Sequence, residues 1–404
     1  MTQRTDILIV GGGLVGASLA LALDAAGRSA TLLEAAPART NQAAGGDDND
    51  RNLVLARASV NALKALQVWP HLDAAAGTIR RVEVSRAGEF GKLRMTAADA
   101  GVDALGRVVP GSVLGTALQR QLAACRRIER LAPAKLLALA PMESSWHARV
   151  AMAGEERNIE ARLVVGADGS DSLVRAQLGI GAQEHDYGQS LFVCTVECGR
   201  DIPDCAFERF TDEGPVALLP LPNQRRGLVL TVSADRHDEV AGMDDAAFIA
   251  LAQQRFGWKL GKLSRPGKRF VHRIRRVLAG AVIAPRAVLV GNAAQAVHPI
   301  GAQGFNLGLR DALTLAELIA GADDPGASAL LNEYAARRQP DHNGVLAFSH
   351  GLIALGCLPQ PALAPLRSLA MLALGGIPPL RHAVARRGMG FRGEPPVAAL
   401  DAGP

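Results

Sequence analysis

Aromatic side chains are scarce in this sequence. Two tyrosines, three tryptophans and ten phenylalanines make up only 4% of its 404 residues. No stretch alternates basic residues with stacking rings, so nucleic acid is excluded as a partner despite a net charge of +5 and a pI near 9.2. A negatively charged membrane surface suits that charge better. The five cysteines (Cys125, Cys194, Cys198, Cys205, Cys357) form an odd set without paired ligand spacing or a histidine cluster. That pattern argues for free thiols in a reducing cytosol and against a metal site. The acidic run GGDDND at 45–50 lacks EF-hand spacing and reads as a solvated loop. No repeat with a period of 20–50 residues is present. No Ser–His–Asp set or carboxylate pair offers itself for hydrolytic chemistry. The longest uncharged N-terminal run, ILIVGGGLVGASLALAL at 7–23, is shorter than the roughly 20 residues a membrane span prefers. Asp6 and Asp24 bracket it and glycines fill its first half, so it reads neither as an export signal nor as a span.

That same run fits a nucleotide-binding template. Residues 7–10 predict a short strand, residues 11–16 read GxGxxG, and residues 17–26 predict an alanine-leucine helix ending near Gly27. A second strand over 30–33 then delivers Glu34, eighteen positions after Gly16. Gly11 permits the tight turn, Gly13 lets a pyrophosphate approach the backbone, and Gly16 lets helix and strand pack closely. The helix start supplies unpaired N–H groups and a positive dipole end. Glu34 suits the two ribose hydroxyls of an adenosine. The fingerprint alone does not separate FAD from NAD.

Two further junctions stand out. In LVVGADGSDSLVR (163–175) a strand runs into Asp168-Gly169, with Ser170, Ser172 and Arg175 on the following turn. Asp168 or Ser170 would cap the helix there. In VGNAAQAVHPIGAQGFNLGLRD (290–311) a strand over 286–291 leads through a glycine-rich loop into a helix over 306–321, with Asn306 as its expected N-cap. The loop places backbone N–H groups at a helix start, which suits a partly anionic ligand edge.

Residues 11–16 with Glu34, then Asp168-Gly169, then Gly291-Asn292 with Pro299 and Gly304-Phe305-Asn306 resemble the three motifs of FAD-dependent aromatic hydroxylases. The resemblance covers residues 1 to about 345. GNAAQAVHP, QGFNLGLRD, AFERFTDEGPVALLPLP and RFGWKLGK are similar to one branch, the 2-octaprenyl-6-methoxyphenyl hydroxylases of ubiquinone biosynthesis (the UbiH type). The resemblance implies FAD as cofactor, NAD(P)H as reductant, O2 as cosubstrate and oxygen transfer through a flavin hydroperoxide. It implies a lipophilic prenylated phenol as substrate and other ubiquinone-biosynthesis proteins as partners. By position, Gly11, Gly13, Leu14, Gly16 and Asp168-Gly169 would surround the pyrophosphate. Asn292, beside Gly291, would meet the ribityl chain, Gly304-Phe305-Asn306 would hold the pyrimidine edge, and Pro299 of the same motif would belong to the cofactor site. Arg51 would approach the cofactor or stand as a solvated surface arginine. The broader family more often reads Gly-Asp-Ala-Ala-His where this chain has Asn292 and Gln295. Gly301-Ala302 inverts the usual Ala-Gly, and the Ala302 methyl would narrow the space beside the flavin. His298 is an acid–base candidate and equally a hydrogen-bonded loop histidine. With only one fingerprint present, NAD(P)H would visit a groove transiently.

The composition is that of a globular chain, and its length suggests about two or three domains. Since one FAD must touch residues 11–34 and 291–306, the expected fold is α/β. A discontinuous Rossmann-like FAD-binding domain (1–75, 103–178, 272–345) would carry an inserted α+β substrate domain (76–102, 179–271). The third region, 346–404, is expected to be a helical tail. Its segment 351–380 is nearly uncharged and is followed by Arg381, Arg386, Arg387 and Arg392. It reads either as a tail packed on the core or as a surface resting on a membrane. A cytoplasmic location follows, peripheral at the inner face of the cytoplasmic membrane on the second reading. A flavin reductase without oxygen activation, or a non-catalytic FAD-bound member of a quinone-biosynthesis assembly, are the competing functions.

Overall fold

The computed structural model describes residues 2–37, 52–357 and 363–400. Its first sheet is built on Thr2–Val10, whose residues 7–10 are buried. That strand pairs in parallel with Glu155–Gly166 on one side and Ala30–Leu33 on the other. Ala287–Leu289 and Ile128–Leu131 extend the parallel core outward. Strands covered on both faces lose the alternating pattern of a half-exposed sheet, which explains the continuous apolar run ILIV and the wholly buried ATLL. An antiparallel pair, Ala134–Pro141 and Trp146–Met152, folds back onto Glu155–Gly166. Helix Leu14–Ala25 packs on this sheet beside helix Gly304–Ala320, and their leucines and alanines form the largest core.

The second sheet runs in the order Gln295–Ala296, Phe270–Ala279, Ala182–Cys198, Arg225–Ser233, Val216–Pro220, Cys205–Phe210, Arg81–Arg86, Lys92–Thr96. One face packs against helix Asp245–Phe256 through Phe192, Phe207, Phe248 and Phe256. The other face turns toward the first domain. A small third sheet joins Asn52–Ala56, Gly106–Pro110 and Gly77–Ile79.

The α/β plan with an inserted sheet domain matches the sequence reading, but three expected boundaries move. Phe270–Ala279 is one strand of the second sheet, so the change expected at residue 272 falls inside it. Gly77–Ile79 pairs with Gly106–Pro110, a strand assigned to the FAD-binding domain, so the first insertion begins after it. Helix Ser328–Cys357 runs through the boundary expected at 346, carrying Pro340 within it. The tail beyond is helical, at Ala364–Gly376 and Pro378–Gly388. Among the described residues, no helix is long and apolar enough to cross a membrane.

Candidate cofactor and ring site

The carboxyl ends of four parallel strands lie level, because Val10 pairs with Gly166 and Leu33, and Gly166 with Leu289. The hydrogen bonding continues one step past the strands: Gly11 N–H donates to Leu33 O, Ala167 N–H to Val10 O, and Val290 N–H to Gly166 O. The loops at 11–13, 34, 167–169 and 290–292 therefore emerge side by side at one edge. That edge is where an open parallel sheet binds its ligand.

The glycines divide by what surrounds them. A Cβ on Gly16 would stand 1.9 Å from Gly11 O, and one on Gly11, where φ is +105°, would stand 2.5 Å from Ala167 O. These two let helix, strand and second junction close on each other. Around Gly13, Gly169 and Gly304, by contrast, no atom of the described residues beyond the local chain lies within 4 Å of the Cβ position. The backbone is bare on the side where phosphates and a flat ring would approach. Neither Leu14–Ala25 nor Gly304–Ala320 has an acid in its own first turn, which leaves their positive ends suited to an anionic group. Glu34 accepts from Gly12 N–H at 2.8 Å and Ala36 N–H at 2.8 Å, which fixes its carboxylate beside the first turn. Asn292 is exposed at the loop edge, as is Pro299. These features fit an extended dinucleotide with a ring at the Gly304 end.

Residues 4–349 match the family described as FAD binding domain. Ubiquinone hydroxylase UbiL of Rhodospirillum rubrum is 36% identical over 389 residues, covering 95% of this chain and 89% of that protein. The chain belongs to this family. It is an FAD-dependent aromatic hydroxylase, a flavoprotein monooxygenase. The 3-demethoxyubiquinol 3-hydroxylase of Escherichia coli is another relative, 33% identical over 92% of this chain and 95% of that one. In fold, the hydroxylase resembles p-nitrophenol 4-monooxygenase PnpA from Pseudomonas putida DLL-E4. The TM-score is 0.79 at 17% identity, over 98% of this chain and 100% of that one.

Several site residues of this hydroxylase act differently from their expected roles. Asn306 is not an N-cap: the helix starts at Gly304 after Gln303. The Asn306 side chain instead accepts from Ala56 N–H at 2.9 Å and donates to Val54 O and Ala302 O, tying the third sheet to the loop. Only its backbone is free to meet a ring. Both Asp168 oxygens are occupied, by the Ser172 hydroxyl and Val174 N–H, while Ser172 caps the short helix. Phe305 and Leu14 pack partly against the core. Gln295 points away from the edge and donates to His342 O. Arg51 and the run 45–50 lie outside the described residues.

His298 is buried, and that burial pushes its pKa down to about 4. Its Nδ1 accepts Ile300 N–H at 3.1 Å, which assigns the proton to Nε2, 3.4 Å from Gln189 Oε1. Tyr187 meets the ring edge-on. The imidazole is thus a neutral brace between the loop and the second sheet.

Two braces make contacts that the sequence did not reveal. Arg175, buried, donates to Ser170 O at 2.8 Å and Ala293 O at 3.0 Å, linking the second motif to the third. Asp311, fully buried, accepts Gly291 N–H at 3.1 Å, Arg338 Nε at 2.7 Å and His342 Nε2 at 2.8 Å. Burial alone would raise its carboxyl, but His342 and Arg338 outweigh that and hold it well below the usual range. Arg175 to Ala293, and Asp311 to Gly291, Arg338 and His342, join residues well apart in sequence, so spacing could not reveal these contacts.

Proposed function

We propose that this hydroxylase acts on the aromatic ring of a polyprenyl methoxyphenol in ubiquinone biosynthesis, with NAD(P)H as reductant and O2 as cosubstrate. Near-full-length similarity to relatives named as ubiquinone hydroxylases carries the reading. FAD, when bound, supplies the chemistry that couples nicotinamide oxidation to insertion of one oxygen atom. The chain's own groups bind and orient. Glu34 takes the ribose hydroxyls, the first turn after Gly13-Leu14 takes the pyrophosphate beside Asp168-Gly169, and Asn292 takes the ribityl chain. The backbone of 304–306, with Pro299 before it, holds the pyrimidine edge. Ile300 packs with Val84, Leu93, Phe210 and Met371, an apolar roof that keeps water from the ring end. NAD(P)H visits this cleft without a nucleotide fold of its own.

The lipid-tailed substrate is met at a membrane surface. Helix Ala364–Gly376 turns Leu366, Leu369 and Leu372 outward while its Met371 packs with Ile300, so the lipid-seeking face and the ring site share one helix.

The test is to incubate the flavin-loaded protein with NAD(P)H, labelled O2 and a short-chain prenyl methoxyphenol. The expected product carries one labelled oxygen on the ring. Nicotinamide oxidation without labelled product would mean a reductase. Bound FAD with no turnover, alongside stable capture of quinone-biosynthesis proteins, would mean an assembly component.

A further inference from the structure

Strand Cys205–Phe210 crosses the second sheet with alternate side chains on opposite faces. Cys205 and Phe207 pack under helix Asp245–Phe256. Ala206, Glu208 and Phe210 therefore face the first domain. Ala206 joins an apolar cluster with Ile79, Val108 and Leu219, and Phe210 joins the one that holds Ile300 of the cofactor loop. Glu208 stands between them, opposite Val84 on one neighbouring strand and Ala217 on the other. Next along the rung comes Val229.

A glutamate in such company normally has a cation or donor beside it. Among the described residues, no hydrogen bond or ion pair engages the Glu208 carboxylate. Arg86, on the same face, is taken by Glu89 at 3.1 Å and by Asp212. Arg367, on the helix that packs over this face, is paired to Glu89 as well. His298, on the loop, is neutral. Desolvation acts alone, and pushes the Glu208 carboxyl up to about 7. Yet the residue is only half-buried, as are Ala217 and Val229 on its rung, so this patch of the face is open to a visitor.

The same face sits directly on the first domain at its margins. A Cβ on Gly227 would meet the Asn52 amide at 2.6 Å, and one on Gly77 would meet Pro220 O at 2.0 Å. Glu208 thus faces the first domain, two positions along its strand from Phe210, which packs in one cluster with Ile300 of the cofactor loop.

We infer that Glu208 is the catalytic residue that takes the proton from the ring hydroxyl of the phenol. This rests on the hydroxylase reading above. The whole reaction consumes NAD(P)H, O2 and a proton, places one oxygen atom in a ring C–H bond and releases the other as water. As the new C–O bond forms, the phenol O–H bond breaks and its proton goes to the Glu208 carboxylate. The product of that step is a ring ketone bearing the new hydroxyl on a tetrahedral carbon. Loss of that carbon's proton to solvent restores the ring, and Glu208 returns its proton to the ketone oxygen. The carboxylate ends as it began. A base near pH 7 on this face matches the duty, since proton transfer is most effective when the pKa lies near the working pH.

Glu208→Gln keeps the shape and removes the base. With flavin content matched to wild type, kcat/KM for phenol hydroxylation is expected to fall by roughly 100-fold or more. The wild-type rate should rise with pH through about 7, and that limb should vanish in the variant. Infrared difference spectra of the resting proteins supply a readout apart from turnover: a carboxyl band titrating near pH 7 should be present only in wild type. Glu208→Asp, which keeps the base but shortens it, should recover part of the rate together with the pH limb. Should Glu208→Gln lose its flavin, Glu208→Asp and the infrared titration decide. An unchanged rate and pH profile in Glu208→Gln, or no titrating band near pH 7 in wild type, overturns the role of Glu208. A wild-type protein that binds FAD and hydroxylates no phenol overturns the hydroxylase reading instead.

Discussion

A single methyl group separates two kinds of glycine at the cofactor edge. Gly16→Ala would drive its Cβ into the Gly11 carbonyl at 1.9 Å, so the damage falls on the fold itself. Gly13→Ala meets no atom of the described residues beyond the local chain within 4 Å, so its damage falls on the ligand. The flavin-free Gly13→Ala protein should therefore melt within a degree or two of wild type yet bind FAD at least tenfold more weakly. Flavin-free Gly16→Ala should melt well below both. Calorimetry of the stripped proteins and fluorescence titration with FAD check the pair. Ala302 presents the opposite case, an alanine at φ +50° where glycine would sit freely. Left-handed geometry costs a non-glycine residue about 1–2 kcal/mol, and glycine's extra backbone entropy gives back about 0.5–1 kcal/mol. Ala302→Gly should thus stabilise the protein by roughly 0.5 kcal/mol or slightly more in urea unfolding. A loss of stability would mean that the methyl packs usefully. Glu208 carries a stability signature too. Its raised pKa means the unfolded chain ionises more readily, so its contribution is fully present below the unfolded value and is lost as pH rises through about 7. Glu208→Gln should be more stable than wild type at pH 8 and no more stable at pH 4.5.

At the scale of elements, helix Gly304–Ala320 is held to helix Ser328–Cys357 by a buried charge network. Arg310 meets Asp341 at 2.6 Å, and Arg338 meets both Asp341 and Asp311 at 2.7 Å. Asp311 also holds Gly291 N–H, so the network fixes the cofactor loop. Asp311→Asn leaves Arg338 short of a buried partner and should cost about 3–5 kcal/mol. Because the Asp311 pKa is depressed, its stabilisation is present above the unfolded carboxylate value and is lost as pH falls through the folded one. The wild-type advantage over Asp311→Asn should therefore shrink in acid, which unfolding at pH 7 and pH 3 would show. The sequence revealed what local spacing encodes: GxGxxG before a helix, an acid at the next strand end, a glycine loop between strand and helix. It did not reveal Arg175 reaching Ala293, or Asn306 reaching Ala56, because such contacts depend on chain segments that only folding brings together. Strand Phe270–Ala279 was missed as part of the second sheet for a related reason. Its residues His272, Arg273, Arg275 and Arg276 blur the alternation that marks a half-buried strand.

At the scale of the whole molecule, the proposed prenylated substrate calls for a surface that can rest on lipid. Helix Ala364–Gly376 is inverted for a surface helix: Arg367 is buried against Glu89, while Leu366, Leu369 and Leu372 are 66%, 57% and 45% exposed. Phe90 adjoins the Glu89 anchor and is 63% exposed; Ile377 and Leu380 continue the apolar surface. Arg386 and Arg387 are exposed on the following helix, with no ion pair among the described residues, and Arg387 lies two turns from Leu380 on one face. Burying a leucine contributes about 1.5–3 kcal/mol when complete, whereas each arginine near an anionic surface adds about 1 kcal/mol. The leucines should therefore dominate binding and the arginines tune it. Full-length protein is expected to sediment with vesicles containing anionic lipid. Leu369→Asp combined with Leu372→Asp should abolish that, while Arg386→Gln with Arg387→Gln should weaken it by about tenfold or more. Added salt should act on the wild type and spare the double arginine variant. Turnover of a water-soluble short-chain phenol should be unaffected by the leucine changes, since those side chains point away from Ile300, and turnover of a long-chain phenol in vesicles should fall. Equal sedimentation of wild type and the leucine variant would show that the exposed stripe is not the membrane contact.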